Sequence, residues 1–433
     1  MSRSPFATQF LINEAFSLKS RLKSVRPFAL TSPMVAAACI SDPALKGITD
    51  LIIQNTKELN GRIDSFINEI SSPEGKSINT EEAQAKFSML KLRFNAVLDQ
   101  LDIFSNVVTQ RSEHETGIWV AGLDVLATDA LELNPKMYDA PELVCFITRG
   151  HGAAIRRART RLPGGDENPV GVIQVPRERM IGSGIASSLV HEVGHQGAAL
   201  LDLVRTLRED IRSKQAKSSN KTGWDLYHRW ISEIVADFWA MSHLGIGATV
   251  GLISVVSLPR YFMFRIRGND PHPFPWIRVK LSFSFGKALY PDAQWGKFER
   301  LWDRMYPLNK VDANSRQIIK SLDAAMPAFT QLLINHRSKE LKGKKLSEIF
   351  PYKTRTPAQL RALLTTWKTT PAKMNTAPPT LVFAVIGQAH ADGKISATVE
   401  SRVLSKWLTQ WAFLRSESRT TNESKNVLNQ IKF

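Results

Sequence analysis

The stretch His191-Glu192-Val193-Gly194-His195 has the sharpest chemical meaning in this sequence. On a helix, residues four apart share a face, so both imidazoles can meet one ion. Glu192 stands beside that ion, where a carboxylate can hold a water molecule and take its proton. The pattern is that of a zinc site built for hydrolysis. His191 and His195 are the expected ligands, Glu192 the general base and Zn2+ the cofactor. The plain alternative is a pair of buried structural histidines. Ile185, Ala186, Leu189, Val190, Val193, Ala198, Ala199 and Leu200 give the motif an apolar helical frame. Gly194 inside that frame costs about 1 kcal/mol relative to Ala. Close backbone approach by a second helix is one reason to tolerate it.

A third ligand has to come from elsewhere. An H-x-x-G-x-x-H continuation is absent, because Ala198 and Leu201 take the places of its glycine and histidine. Glu209 lies too far along the same helix. Glu233 is better placed, inside the apolar run Trp230 to Ala240, where an unpaired carboxylate would be costly. Asp237 falls one turn later on the same face. There it could accept the second ring N–H of a ligand histidine and fix its orientation. For Glu233 the alternative is a salt bridge to Arg229 or another base.

H-E-x-x-H followed by E-x-x-x-D resembles the gluzincins, the thermolysin-like clan of zinc metallopeptidases. A β-rich segment at Val170 to Val175, then Ser183-Gly184, then the helix is most similar to the group of prenyl-protein (CAAX) peptidases and their bacterial heat-shock relatives. That group often carries a His-Pro pair and a downstream Arg, and Asp270-Pro271-His272-Pro273, with Arg278 after it, fits this outline. The resemblance runs roughly from Glu142 to Lys287 and leaves the N-terminal part unmatched. It implies hydrolysis of peptide bonds in a peptide or protein substrate. Zinc would polarise the scissile carbonyl, and Glu192 would pass the proton of the attacking water to the leaving amine. An oxyanion donor is also implied, with His272 as the choice and Arg278 and Tyr227 as further candidates. Val170 to Val175 would be the edge strand that pairs with extended substrate. His228 and His243 read as satisfied structural histidines.

Several elements must position these residues. Apolar spacing predicts a helix over 42–70 and a second through Phe87 to Phe104, joined by Ser71-Ser72-Pro73-Glu74-Gly75 as an antiparallel hairpin. Glu142 to Thr148 and Val170 to Val175 read as strands, with Arg156, Arg157, Arg159 and Arg161 between them as an exposed face. A long apolar helix is expected over Ile185 to Leu207, a charged loop over Arg208 to Lys221, and a helix from about Asp225 to His243. The expected class is α+β, mostly helical: a zincin-like core with a small β-sheet, flanked by helical modules. The expected layout is a helical module over 1–115, the metallopeptidase domain over 116–338, a basic connector over 339–379 and a small helical domain over 380–433. The helical termini could also engage a protein partner.

Bulk composition sets the limits. Hydrophobic residues at 43% and charged residues at 22% are ordinary for a folded protein. A formal charge of +17 favours anionic partners such as nucleic acid or a membrane surface. Part of the excess is local: residues 337–373 hold ten Lys or Arg against Glu340 and Glu348. Without an accompanying nucleic-acid motif, a solvated face is the favoured reading. Two cysteines, Cys39 and Cys145, exclude a disulfide framework and point to a reducing, cytoplasmic setting. Met1 to Arg26 does not read as a secretory signal, although Pro27 to Cys39 would pass as a lipoprotein signal if translation began further downstream. Phe238 to Pro259 lacks Asp, Glu, Lys and Arg, and reads as a buried helix pair before a membrane span.

Gln388 to Ser396 has the outline of a calcium loop but lacks carboxylates at its first and twelfth positions, Gln388 and Val399. It is more similar to the A-D-G-x-I-S turn of tellurite-resistance TerB-like domains. A helix N-cap at Ser396 is the plain alternative. Against the peptidase stand two other readings: a non-catalytic zinc-bearing scaffold, and a basic nucleic-acid-associated protein with an incidental H-E-x-x-H.

Overall fold

The computed structural model describes residues 4–430 apart from 28–30, 150–151, 163–164, 178–181 and 269. Residues 28–30, within the stretch Pro27 to Cys39, therefore lie outside the described residues. Three helices open the chain: α1 (Pro5–Lys23), α2 (Asp42–Ser71) and α3 (Thr80–Gln110). The expected hairpin of α2 and α3 forms. Ser41 caps α2 by accepting from Ala44 N–H, and Asn79 caps α3 by accepting from Glu82 N–H. Ile63, Phe66, Phe87 and Phe94 are buried between the helices, with the Phe66 and Phe87 rings 5.7 Å apart.

After α4 (His114–Leu131) come β1 (Leu143–Thr148), β2 (Ala154–Arg156) and β3 (Gly171–Pro176). The strand order is β1-β3-β2, with β1 parallel and β2 antiparallel to β3. Side chains alternate across a strand, and this small sheet uses both faces. Val144, Phe146 and Val172 join the core of α1 to α3, while Cys145, Ile147, Ile173 and Val175 join the core of the remaining helices. Hence both strands read as nearly continuous apolar runs. Two expectations change here. Val170 to Val175 is central and has neighbours on both sides, so it cannot pair with a substrate. The arginine-bearing stretch before it contains a strand, β2, which with β1 forms an edge of the sheet.

The rest is helical: α5 (Ser183–Leu200), α6 (Leu203–Lys217), α7 (Lys221–Leu244), α8 (Ile246–Val256), the single turn α9 (Arg260–Met263), α10 (Pro275–Leu289), α11 (Ala293–Met305), α12 (Ala313–Asn335), α13 (Pro357–Thr369), α14 (Pro379–Ala391) and α15 (Ala397–Gln430). The chain is thus α+β and mostly helical. The expected helix over Ile185 to Leu207 breaks at Asp202, which takes a left-handed φ of 47°. The charged stretch after it is helical rather than a loop. Leu203, Leu207 and Ile211, four apart, bury one face of α6, and Arg205 pairs with Asp202 and Glu209 on the other. Phe238 to Pro259 does form a buried helix pair, α7 into α8. No helix among the described residues is long and apolar enough to cross a membrane.

The stretch 339–379, expected as a basic connector, is laid onto the main body. Leu346, Phe350, Leu360 and Trp367 enter its core, and the buried Arg355 donates to His243 O at 2.6 Å. The last two helices share that core through Val382, Phe383, Leu404, Leu408 and Trp411. A Cβ on Gly122 of α4 would fall 2.1 Å from Leu408 O, so α4 and α15 touch backbone to backbone. The turn between α14 and α15 uses Gly393 at φ 69°, and Ser396 Oγ accepts from Val399 N–H, which is the N-cap reading. Glu400 bonds His390 Nδ1 and reaches the start of α5, where a Cβ on Gly182 would lie 2.7 Å from its Oε2.

Candidate metal centre

Two helices build the site. α5 presents His191, Glu192 and His195, and α7 crosses it with Glu233 and Asp237. What brings them so close is Gly194. A Cβ there would lie 2.8 Å from Trp239 Cβ and 2.9 Å from Ala236 Cα, so only a glycine lets α7 settle on α5. Gly197 does the same for the indole of Trp239, whose Nε1–H donates to Ala130 O at 2.8 Å.

His191 Nε2 lies 3.3 Å from Glu233 Oε2, and His195 Nε2 lies 3.5 Å from Glu233 Oε1. One donor atom from each of the three residues falls within 4.8 Å of the others, and no second such group occurs among the described residues. The two rings stand edge to face at 88°. Two imidazole nitrogens and a carboxylate oxygen form a donor set suited to zinc, leaving a position for water or substrate.

Asp237 orients His191. Its Oδ1 accepts from His191 Nδ1 at 2.8 Å, which turns Nε2 toward Glu233 and His195. Arg278, on α10, grips the same carboxylate with two bonds of 2.6 and 2.7 Å. Burial works against the Asp237 charge, but Arg278 and His191 hold its pKa down to about 2. The same balance keeps the Glu233 carboxyl far below the usual carboxylate range, with burial outweighed by hydrogen bonds from His191 and His195. Arg278 is therefore committed behind His191 rather than free to meet a substrate oxygen. Asp237 in turn pushes the guanidinium pKa up against the effect of its burial.

Glu192 is 8% exposed and lines a cleft of about 210 Å³ with His191, Ser187, Ala153 and His272. Gly152 and Ala153, which run into edge strand β2, form part of the wall, and no local sequence pattern marks them. His272 reaches the cluster from the loop before α10. Its Nε2 is 3.3 Å from Glu233 Oε2, while Nδ1 is held by Asp270 Oδ1 at 2.9 Å. Asp270 thus orients His272 from two residues away in the same loop.

The chain matches no protein-family model, no curated protein and no solved structure.

Tyr227 does not belong to the site's geometry. It is fully buried, its ring is stacked on Phe329 at 4.2 Å, and its hydroxyl donates to Leu322 O. Tyr227 sits on the stretch of α7 that faces α12, so helical phase alone removes it from the site. His243 is satisfied, as expected, by Trp239 O at 3.0 Å, and burial lowers its pKa to about 3. His228 differs: its Nε2 is buried with no hydrogen-bond partner.

Protonation of the metal-free site makes a testable statement. Burial disfavours a charged His191, yet the Asp237 charge and the bonds to Asp237 and Glu233 win and raise its pKa to about 9. Because the folded value lies above the ordinary 6.5, the proton stabilises the metal-free fold below that pH. That contribution is lost as pH climbs through about 9. A metal ion competes for the same ring, so zinc affinity should rise about tenfold per pH unit from neutral pH toward the upper limit. Competition against a chelating dye measures it. An affinity that stays flat over this window would show that His191 carries no such proton.

Proposed function

We propose that the chain is a zinc-dependent peptidase whose zincin-like core is formed by α5, α7, α10 and the three-stranded sheet. The observation that carries this reading is Glu192, free of the ligand set yet facing the cleft next to it. A structural metal site has no use for such a carboxylate. When bound, zinc would act as a Lewis acid toward the scissile carbonyl and lower the pKa of a water. His191, His195 and Glu233 would hold it.

The chain's own groups divide the remaining work. Glu192 takes a proton from the attacking water and returns it to the leaving nitrogen. Asp237 and Arg278 keep His191 in one tautomer and one orientation. His272, half-exposed at the mouth and fixed by Asp270, is placed to donate to the oxygen that becomes negative. Edge strand β2, whose outer side pairs with no strand among the described residues, supplies backbone groups against which an extended peptide can lie, with Gly152 and Ala153 leading it into the cleft.

Metal analysis with a peptide-library digest tests the reading. The wild-type chain should carry about one zinc and cleave peptides, and His191→Ala should lose both. A zinc-bearing wild-type chain that cleaves no peptide would instead make it a scaffold. Nucleic-acid retention that falls with salt, without bound zinc, would point to the third reading.

A further inference from the structure

A second cavity, of about 310 Å³, shares His272 and Arg278 with the cleft and is walled by residues on either side of α9, from Val256 to Arg267, and by Asp270 to Pro275. Its apolar part comes from Val256, Leu258, Phe262 and Ile266. Leu258 and Phe262 stay 43% and 44% exposed, next to Tyr261 at 69%. Apolar side chains left uncovered together beside a polar cleft mark a place where something docks.

The charged groups around this cavity are unequal. Asp270 is occupied, because its Oδ1 takes both the backbone N–H and the ring of His272. Arg278 is neutralised by Asp237. Arg265 and Arg267 line the same cavity, both exposed; neither lies within ion-pair distance of a carboxylate among the described residues, and Arg267 is near enough to Asp270 to help lower its pKa. Arg265 lies over the Tyr261 ring at 5.6 Å, which holds the guanidinium beside the exposed aromatic surface. The cavity is thus an apolar floor with a cationic rim, continuous with the reactive cleft.

We propose that this cavity is the specificity subsite of the peptidase and selects peptides with a bulky apolar residue next to an acidic one, close to the scissile bond. The proposal rests on the peptidase reading given above. The apolar side chain packs against Leu258 and Phe262, and the carboxylate meets Arg265 and Arg267. With a formal charge of +17, the whole chain attracts such peptides before contact.

Binding, measured separately from cleavage, tests it. The full chain with Glu192→Gln, loaded with zinc, is titrated with short fluorescein-labelled peptides that carry Leu-Glu-Glu or Leu-Lys-Lys in an otherwise neutral sequence. The acidic peptide should bind about tenfold more tightly at low salt, and the gap should narrow as salt rises. Arg265→Glu with Arg267→Glu should invert the preference, and the milder Arg265→Gln with Arg267→Gln should abolish it. Equal binding of the two peptides overturns the proposal, as does a preference that survives both double variants. Vesicles of phosphatidylserine and phosphatidylcholine form a second arm. Loss of vesicle binding in the double variants, with peptide binding unchanged, assigns the patch to a lipid surface and also overturns it. If the acidic peptide binds selectively but the wild-type chain cuts nothing, the peptidase reading fails while the peptide site stands.

Discussion

Exchanging Glu192 for Gln should leave about one zinc per chain and lower peptide hydrolysis by about 10²–10⁴-fold. The side chain lies on α5 beside His191 and His195, 8% exposed, and faces the cleft. Gln has the same shape and leaves no hole, so folding and metal content should be unchanged. What disappears is the ability to accept a proton. Turnover of a fluorogenic peptide and metal analysis on one preparation decide the outcome. Retained hydrolysis would remove Glu192 from the chemistry. Zinc lost together with activity would mean that the carboxylate supports the metal instead.

The second large effect concerns a single methyl group. Gly194→Ala would place a carbon 2.9 Å from Ala236 Cα and 2.8 Å from Trp239 Cβ. Both belong to the α7 framework and cannot swing away as a side-chain tip could, so α5 and α7 must part. A shift of this kind typically costs about 1–3 kcal/mol. It also moves His191 and His195 away from Glu233, so zinc affinity should fall as well. Gly61, inside α2, has nothing within 4 Å of its own would-be Cβ. There the same change should stabilise by about 0.5–1 kcal/mol through helix propensity. Urea unfolding of both variants without metal gives the signs, and a zinc titration gives the affinity. Two shifts of equal sign would contradict the packing described here.

The cluster of His191, His195, Glu233 and Asp237 was legible because its spacing is local. His191 and His195 lie four apart on one helix, as do Glu233 and Asp237 on another, and the helical repeat fixes their faces before any tertiary contact forms. Gly194 also announced a close neighbour. Other features depend on what lies across the chain. Tyr227 was a plausible donor by type, yet the phase of α7 turns it to Phe329. Arg278 was rightly brought near the site, but Asp237 decides where it points. Strand β2 is too short and too arginine-rich to show a pattern, and it exists because β3 offers it an edge. The apolar stripe of α6 was masked by the charges between its leucines. Residues 339–379 looked like a linker because their basic residues outnumber the buried Leu346, Phe350 and Trp367, and composition averages over both faces.

The contact of Glu400 with Gly182 bears on how the protein comes off the ribosome. The helix that carries both histidines is made early, but the carboxylate at its amino end, where negative charge suits the helix dipole, is made near the finish. The apolar flank supplied by Val382, Phe383 and Leu408 is translated late as well. A nascent chain still short of these residues holds its histidines and Glu233 on an unfinished scaffold. The cluster of His191, His195 and Glu233 therefore gains its complete packing only when synthesis is almost over.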